Sequence, residues 1–312
     1  MPSGERLSPY TRAVPVFVKR STDKLQALAG ALDGGGFSDE VERIVDDGDP
    51  AATRIAIKAN IMGAVASGEA EATYTDPQLV ESLIGRLREY GFTQMSVVDS
   101  RLDAGESMTE VAARLGYHAD GYELVDLSEE TDPFDYGGVL GRHPVSPTWR
   151  DADIRISFAK NKSQWECFYS GAMANVLGCL PEPDKRRWYR GRGHAASECV
   201  RTALAALPVH FGLVDAWTSR DGRGRPGRGG KMRQTGAVLA SANVIALDWV
   251  MGEKMGVDPA LNPVMQEALH RWGRIELIRR GDLMPWEPWE RPGPTTVALA
   301  GLIGGRGAWT IQ

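Results

Sequence analysis

Four stretches set polar, mostly charged side chains at the ends of apolar runs: Lys58-Ala59-Asn60, Asp99-Ser100-Arg101, Lys160-Asn161-Lys162 and Asp215. If those runs are parallel strands, their carboxyl ends share one crevice, which is where open parallel sheets bind ligands. Two lysine-bearing ends in one crevice favour an anionic substrate through charge-assisted hydrogen bonds. His194 closes the basic run Arg190-Gly191-Arg192-Gly193-His194. The neighbouring positive charge favours a neutral imidazole, which can act as a general base or ligate a metal. The plain alternative stays open at each position: polar residues also mark where a strand leaves the core, and such a histidine also serves as a cap or surface residue.

The loop 219–231 carries Arg220, Arg223, Arg225, Arg228 and Lys231 among five glycines. It reads equally as a cradle whose amides approach an anion or as a solvated surface loop. It fits neither a phosphate-binding P-loop nor a dinucleotide-binding glycine pattern, and no zincin or nucleophile-elbow motif occurs in the chain. Cys167, Cys179 and Cys199 are too widely spaced for cluster ligation, and three thiols cannot complete a four-thiolate iron–sulfur cluster, so they read as buried thiols. No cofactor is expected. An iron–sulfur cluster or divalent metal, with ligands shared between subunits, is the alternative.

The elements that position these groups read as alternating strands and helices. Apolar, partly β-branched runs at 13–18, 53–60, 94–99, 122–127, 153–158, 211–215 and 237–240 predict strands. Helices are expected at 21–32, 77–90, 106–115, 195–206 and 244–255. The second of these starts at Thr75-Asp76-Pro77, a capping residue followed by proline at the first helical position, and stops at Gly91. Strand, helix and strand in succession make βαβ units, hence parallel pairing and right-handed crossovers. The fold class is α/β: two lobes of mostly parallel sheet flanked by helices, with the ligand crevice between them. The expected lobes are 1–150 and 151–312, the second carrying the Gly/Arg loop and a Trp/Pro-rich tail. Segment 128–150 reads as a connection or a flap. Trp286 and Trp289 frame a proline-rich stretch that covers a pocket, faces another subunit or simply packs.

Composition narrows the partners. The 312 residues are 42% hydrophobic and 25% charged, a globular balance, with a net charge of −5. That mild acidity argues against nucleic acid as the main partner. There is no apolar run of membrane-spanning length and no signal-peptide pattern, so no membrane partner and a cytoplasmic location are expected. The expected partner is a small anionic substrate, and a homodimer is the assembly left open.

Six blocks together resemble the domain of unknown function 362 family: IAIKANI (55–61), TDPQLVESLI (75–84), DADIRISFAKNKSQ (151–164), SGAMANVLGCLP (170–181), VDAWTSRDGRGRPGRG (214–229) and ASANVIALDWVMGEKMG (240–256). The family is often described as iron–sulfur because many members carry an attached ferredoxin module, and this chain has none. Region 151–194 is also distantly similar to the lactate racemase type of nickel-pincer enzyme. The family's usual form has Lys-Thr-His followed by Gly-Ala-Leu-Lys-Asn. Here Lys162-Ser163-Gln164 is followed by Gly171-Ala172-Met173-Ala174-Asn175, so Gln164 stands for the histidine and Ala174 for the lysine. The later histidine corresponds to His194.

The resemblance thus implies the fold without pincer chemistry. The expected protein is a cytoplasmic enzyme acting on a small anionic or polyfunctional metabolite, such as a natural-product intermediate. Its chemistry is acid–base proton transfer of the isomerase, epimerase, lyase or cyclase type. Lys160, Lys162 or Lys58 would hold the anion and His194 would act as general acid or base. Asn60, Gln164 and Asn175 would orient the substrate, with Ser170, Asp215 and Lys231 completing the lining. The alternatives are a metal-dependent redox protein and a non-catalytic ligand-binding relative.

Overall fold

The protein is described from a computed structural model covering residues 9–62, 73–101, 106–164, 167–181, 196–222, 230–287 and 289–290. The strands are β1 (Pro15–Arg20), β2 (Arg54–Ala59), β3 (Gln94–Asp99), β4 (Glu123–Asp126), β5 (Asp132–Asp135), β6 (Arg142–Val145), β7 (Ile154–Gln164), β8 (Phe168–Ser170), β9 (Phe211–Gly222), β10 (Gly230–Ser241) and β11 (Ile278–Gly281). The helices are α1 (Lys24–Gly34), α2 (Phe37–Val45), α3 (Pro77–Glu89), α4 (Met108–Leu115), α5 (Pro147–Arg150), α6 (Ala172–Asn175), α7 (Ala196–Ala206), α8 (Val244–Lys254) and α9 (Pro263–Trp272).

One sheet runs in the order β11-β1-β10-β9-β7-β2-β3-β4, with β8 folded back onto β7. From β9 to β4 the strands are parallel, and β10 is antiparallel to both its neighbours. The fold is α/β with a mostly parallel sheet flanked by helices. Both halves of the chain feed this sheet: β2 pairs with β7 across the middle, and β1 inserts between β10 and β11. The position 150/151 falls between α5 and β7. Segment 128–150 forms the two-stranded β5–β6 sheet and α5.

Alternation along the strands sorts the core into two layers. Ile55, Ile57, Val97, Ile156, Phe158 and Leu213 face a core with Leu28 of α1, Phe37 of α2, Leu83 of α3 and Val111 of α4. Ala56, Val98, Ala159, Val214 and Leu239 face the opposite core with Met173 of α6, Leu204 of α7, Leu247 of α8 and Met265 of α9. Helices α1–α4 therefore cover one face, and α6–α9, joined by Trp149 of α5, cover the other.

Local signals place the helices well. Asp76 accepts from the backbone of Gln78 and Pro77 sits in the first turn of α3, whose Leu79, Leu83 and Leu87 are buried. α4 opens with a Ser107/Glu110 capping box and ends at Gly116, whose φ of 95° suits glycine. Eight elements have no counterpart in the sequence expectation: α2, α5, α6, α9, β5, β6, β8 and β11. α9 carries a readable start, since Asn262 caps it and Pro263 follows. The edge strand β11 is short and mostly exposed, so it has no apolar alternation to read.

Three strands run well beyond their predicted bounds, β10 starting at Gly230 instead of 237. β7 continues past Phe158 through Lys160 and Lys162 to Gln164, and β9 continues past Asp215 to Gly222. Polar residues remain in register there because the neighbouring strands supply backbone partners. The predicted loop 219–231 is corrected accordingly: 219–222 and 230–231 are strand, paired Gly230 to Gly222 and Lys231 to Asp221. Its arginines 223, 225 and 228 lie outside the described residues.

Candidate active site

The carboxyl ends of β2 and β7 lie side by side, with Ala59 registered against Phe158. On β2, Ala56 faces the α6–α9 layer, and Lys58, two residues on, leaves by that same face. On β7, Ile156 and Phe158 face the α1–α4 layer, and Lys160, two residues past Phe158, leaves by that face, opposite to the one taken by Lys58. The two buried lysines therefore do not converge on one crevice. Each is neutralised in its own layer.

Lys58 is 1% exposed and its ammonium meets three acceptors: the Ala59 carbonyl oxygen at 2.6 Å, Asn175 Oδ1 at 3.0 Å and Asp99 Oδ1 at 3.1 Å. Three donors with three acceptors leave no vacancy for a substrate anion. Asn175 returns the contact by donating to the Lys58 carbonyl oxygen at 2.8 Å and to Ser157 Oγ at 3.1 Å. Asp99 also accepts from the amides of Ile61, Met62 and Ser100. The 176–179 turn closes over this pair at Gly178, where a Cβ would lie 2.1 Å from Lys58 Cε and 2.6 Å from Asp99 Oδ1.

In the other layer Lys160 Nζ donates to Asp215 Oδ2 at 2.8 Å, and both side chains are buried. Asp215 also accepts from the amides of Asp76 at 2.9 Å and Trp217 at 3.0 Å. Asp215 is thus a structural anion that ties β9 to β7 and to the start of α3. Asn60 is held nearby: its Nδ2 donates to the Thr73 carbonyl oxygen at 2.5 Å, and its amide donates to Thr75 Oγ1 at 3.0 Å.

Lys162 differs from both. It is partly buried, and its one hydrogen bond among the described residues runs to Asn60 Oδ1 at 3.4 Å. No described carboxylate forms an ion pair with it. Burial pushes its pKa down to about 8, with the charge of Lys58 next in effect and those of Arg220 and Lys160 adding, against Asp99. It lies between Ser170 on β8 and Arg220 on β9 in register. Such an amine binds an anion when protonated and takes a proton, or attacks an electrophile, when neutral.

The structure thus places Lys58, Asn60, Lys160, Lys162, Ser170, Asn175 and Asp215 around the ends of β2 and β7, and of the three lysines Lys162 is the one with no ion pair to a described carboxylate. Gln164 ends β7, opposite Phe168. Lys231 is set apart on β10, three strands from β2, in an exposed ion pair with Glu290 at 2.5 Å. His194 lies outside the described residues. Arg101 turns to Asp126 and Glu129.

Sequence reasoning missed the parts that hold the site. Ser157 is a buried hydroxyl in an apolar strand, visible as the single polar residue in Ile154–Phe158 apart from Arg155. Asp248 is the buried acid of the apolar helix α8, whose other acid, Glu253, lies in its last turn. It accepts from the amides of Ala172 at 2.7 Å and Met173 at 2.9 Å, capping the helix that carries Asn175, and burial pushes its carboxyl up to about 7.

At the two positions that the sequence resemblance equates with a pincer-bearing lysine and a histidine stand Ala174 on α6, whose methyl has no atom to bear a covalent group, and Gln164, an amide poorly suited to a late transition metal. Among the described residues no three His, Cys, Asp or Glu side chains come together as metal ligands. Cys167, Cys179 and Cys199 are separate buried thiols, and burial pushes Cys199 up to about 12.

No helix among the described residues is long and apolar enough to cross a membrane. The chain is 32% identical over 119 residues to the Thylakoid-associated protein sll1697 of Synechocystis sp., a match covering 37% of this chain and 36% of that protein. The chain therefore matches about a third of that relative's length. The fold is similar to the lactate racemase apoprotein from Thermoanaerobacterium thermosaccharolyticum, with a TM-score of 0.49 and 11% identity over 80% of this chain and 58% of that one. Residues 55–253, most of the sheet and the whole of the Lys58–Lys162 cluster, match the family described as Domain of unknown function (DUF362), and the chain belongs to it.

Proposed function

We propose that the protein is a cytoplasmic enzyme that binds a small anionic metabolite at the carboxyl ends of β2 and β7 and moves a proton on it, in an isomerase, epimerase, lyase or cyclase type of reaction. Lys162 carries the reading. It is the amine of this cluster with no described carboxylate partner, and its pKa of about 8 lets it cycle between acid and base near neutral pH. Protonated, it holds the anion. Neutral, it accepts the substrate proton. Lys58 and Lys160 supply fixed positive charge from locked positions rather than binding substrate directly. His194 is proposed as the second acid–base group. The chemistry is proposed to need no pincer cofactor, in keeping with Ala174 and Gln164.

The reading is tested by incubating the protein with a panel of small carboxylates in deuterated water and following carbon-bound deuterium by mass spectrometry. A substrate gains deuterium with the wild type, and Lys162→Met slows the exchange by ~10²–10⁴-fold, the usual contribution of a general acid or base. Exchange that is unchanged in Lys162→Met would remove Lys162 from the chemistry.

A further inference from the structure

We infer that Lys162 is a nucleophile and that the site takes a carboxylate bearing a ketone or aldehyde, such as a 2-oxo acid, which it holds as an imine. The inference rests on the anion site proposed above and adds the electrophile.

The three lysines at this end of the sheet divide the work. Lys58 has three acceptors around its nitrogen, and Lys160 is ion-paired with Asp215, so both nitrogens are already engaged. Buried and clamped in this way, neither nitrogen can reach an incoming carbonyl. Lys162 sits beyond both, at the partly open end of β7, with a single long contact to an amide oxygen. An amine desolvated beside fixed cations loses its proton readily, which is how a lysine is activated for attack on carbonyl carbon. Asn60 accepts an N–H of that amine while itself anchored to Thr73, so the electron pair is left for the substrate. Arg220, Lys162's register partner on β9, adds positive charge beside that amine.

The step balances without oxidant or reductant. The Nζ electron pair forms the C–N bond, the carbonyl π pair moves to oxygen, and a nitrogen proton passes to that oxygen. The carbinolamine then loses water and leaves the imine, which is protonated from solvent. The resulting iminium withdraws electrons from the adjacent C–H bond, whose proton then passes to solvent, because Nζ, now bonded to carbon, no longer has a pair to accept it.

The test is reductive trapping. The protein is mixed with pyruvate and sodium cyanoborohydride near neutral pH, and the adduct is located by peptide mass spectrometry. Lys162 is expected to trap roughly tenfold or more faster than any other lysine, since lowering its pKa to about 8 raises the free amine near neutral pH by about a hundredfold or more, part of which is offset by the lower nucleophilicity of a less basic amine. Lys162→Arg removes this adduct, while Lys231→Arg keeps it. Even if Lys162→Arg fails to fold, the wild-type adduct map decides. In parallel, propionate, an anion without the ketone, is tested for protecting Lys162 from acetic anhydride. Preferential trapping at Lys162 supports the imine. Protection by propionate without preferential trapping overturns the imine and leaves the anion site standing. Neither trapping nor protection overturns both.

Discussion

The side-chain amide of Asn175 grips Lys58 at two points, accepting from its Nζ at 3.0 Å and donating to its carbonyl oxygen at 2.8 Å. The contact joins α6 to β2 across 117 residues of sequence. Replacing Asn175 by Ala leaves a buried carbonyl and an ammonium each short of a partner. The expected loss is about 1–3 kcal/mol of folding stability, read from urea denaturation. Asn175→Asp should also destabilise, because a carboxylate cannot donate to the Lys58 carbonyl oxygen or to Ser157. A midpoint unchanged in both variants would show that the grip contributes nothing.

The Lys160–Asp215 pair has almost no access to water. Asp215→Asn leaves a buried ammonium without its counter-charge, and breaking such a pair from one side costs about 3–5 kcal/mol. Removing both charges in Lys160→Met/Asp215→Asn should recover part of that loss. Denaturation midpoints of the two single variants and the double variant give the coupling. Additive losses would mean that the two groups do not sense each other.

Glycines 178 and 85 should respond in opposite directions to alanine. At Gly178 the new methyl meets Lys58 and Asp99 at 2.1–2.6 Å, so Gly178→Ala pushes a buried ion pair apart. At Gly85, inside α3, nothing lies within 4 Å of the new methyl. Gly85→Ala should stabilise by about 0.5–1 kcal/mol through helix propensity alone. Thermal melting of the two variants against the wild type checks the sign of each.

His210 sets a lower pH limit on stability. Burial pushes its pKa down to about 4, with Arg155 adding to the effect, and its Nδ1 accepts the backbone amide of Arg155 at 2.9 Å. Between about pH 6.5 and 4 the unfolded chain takes up a proton that the folded chain refuses. Stability should therefore fall as pH drops through that window, and this contribution should be constant above it. Denaturation midpoints of wild type and His210→Gln, measured from pH 7 to 4, should converge toward the acid end. Parallel curves would exclude His210 as the cause.

Lys162 sets the pH dependence of the proposed reaction. With a pKa of about 8, the neutral amine grows as pH rises through 8. A rate limited by that amine as base should rise through the same range and level off above it. Deuterium exchange at a series of pH values reads the profile. A profile flat from pH 6 to 10 would count against Lys162 as the base.

Much of the scaffold is legible in the chain itself. The Asp76-Pro77 start of α3, the Ser107/Glu110 box of α4 and the alternation of β2, β3 and β7 are local signals, because capping and periodicity depend on residues a few positions apart. The same alternation tells that Lys58 and Ile57 leave opposite faces of β2. What sequence alone could not decide is what waits on each face. Lys58 finds Asn175 and Asp99 because α6 packs on that side and β3 lies next to β2, whereas Lys160 finds Asp215 because β9 lies next to β7 on the other side. Those neighbours come from strand order, which brings together residues 41–117 positions apart, so the pairing of two lysines and the release of the third exist only once the sheet is assembled.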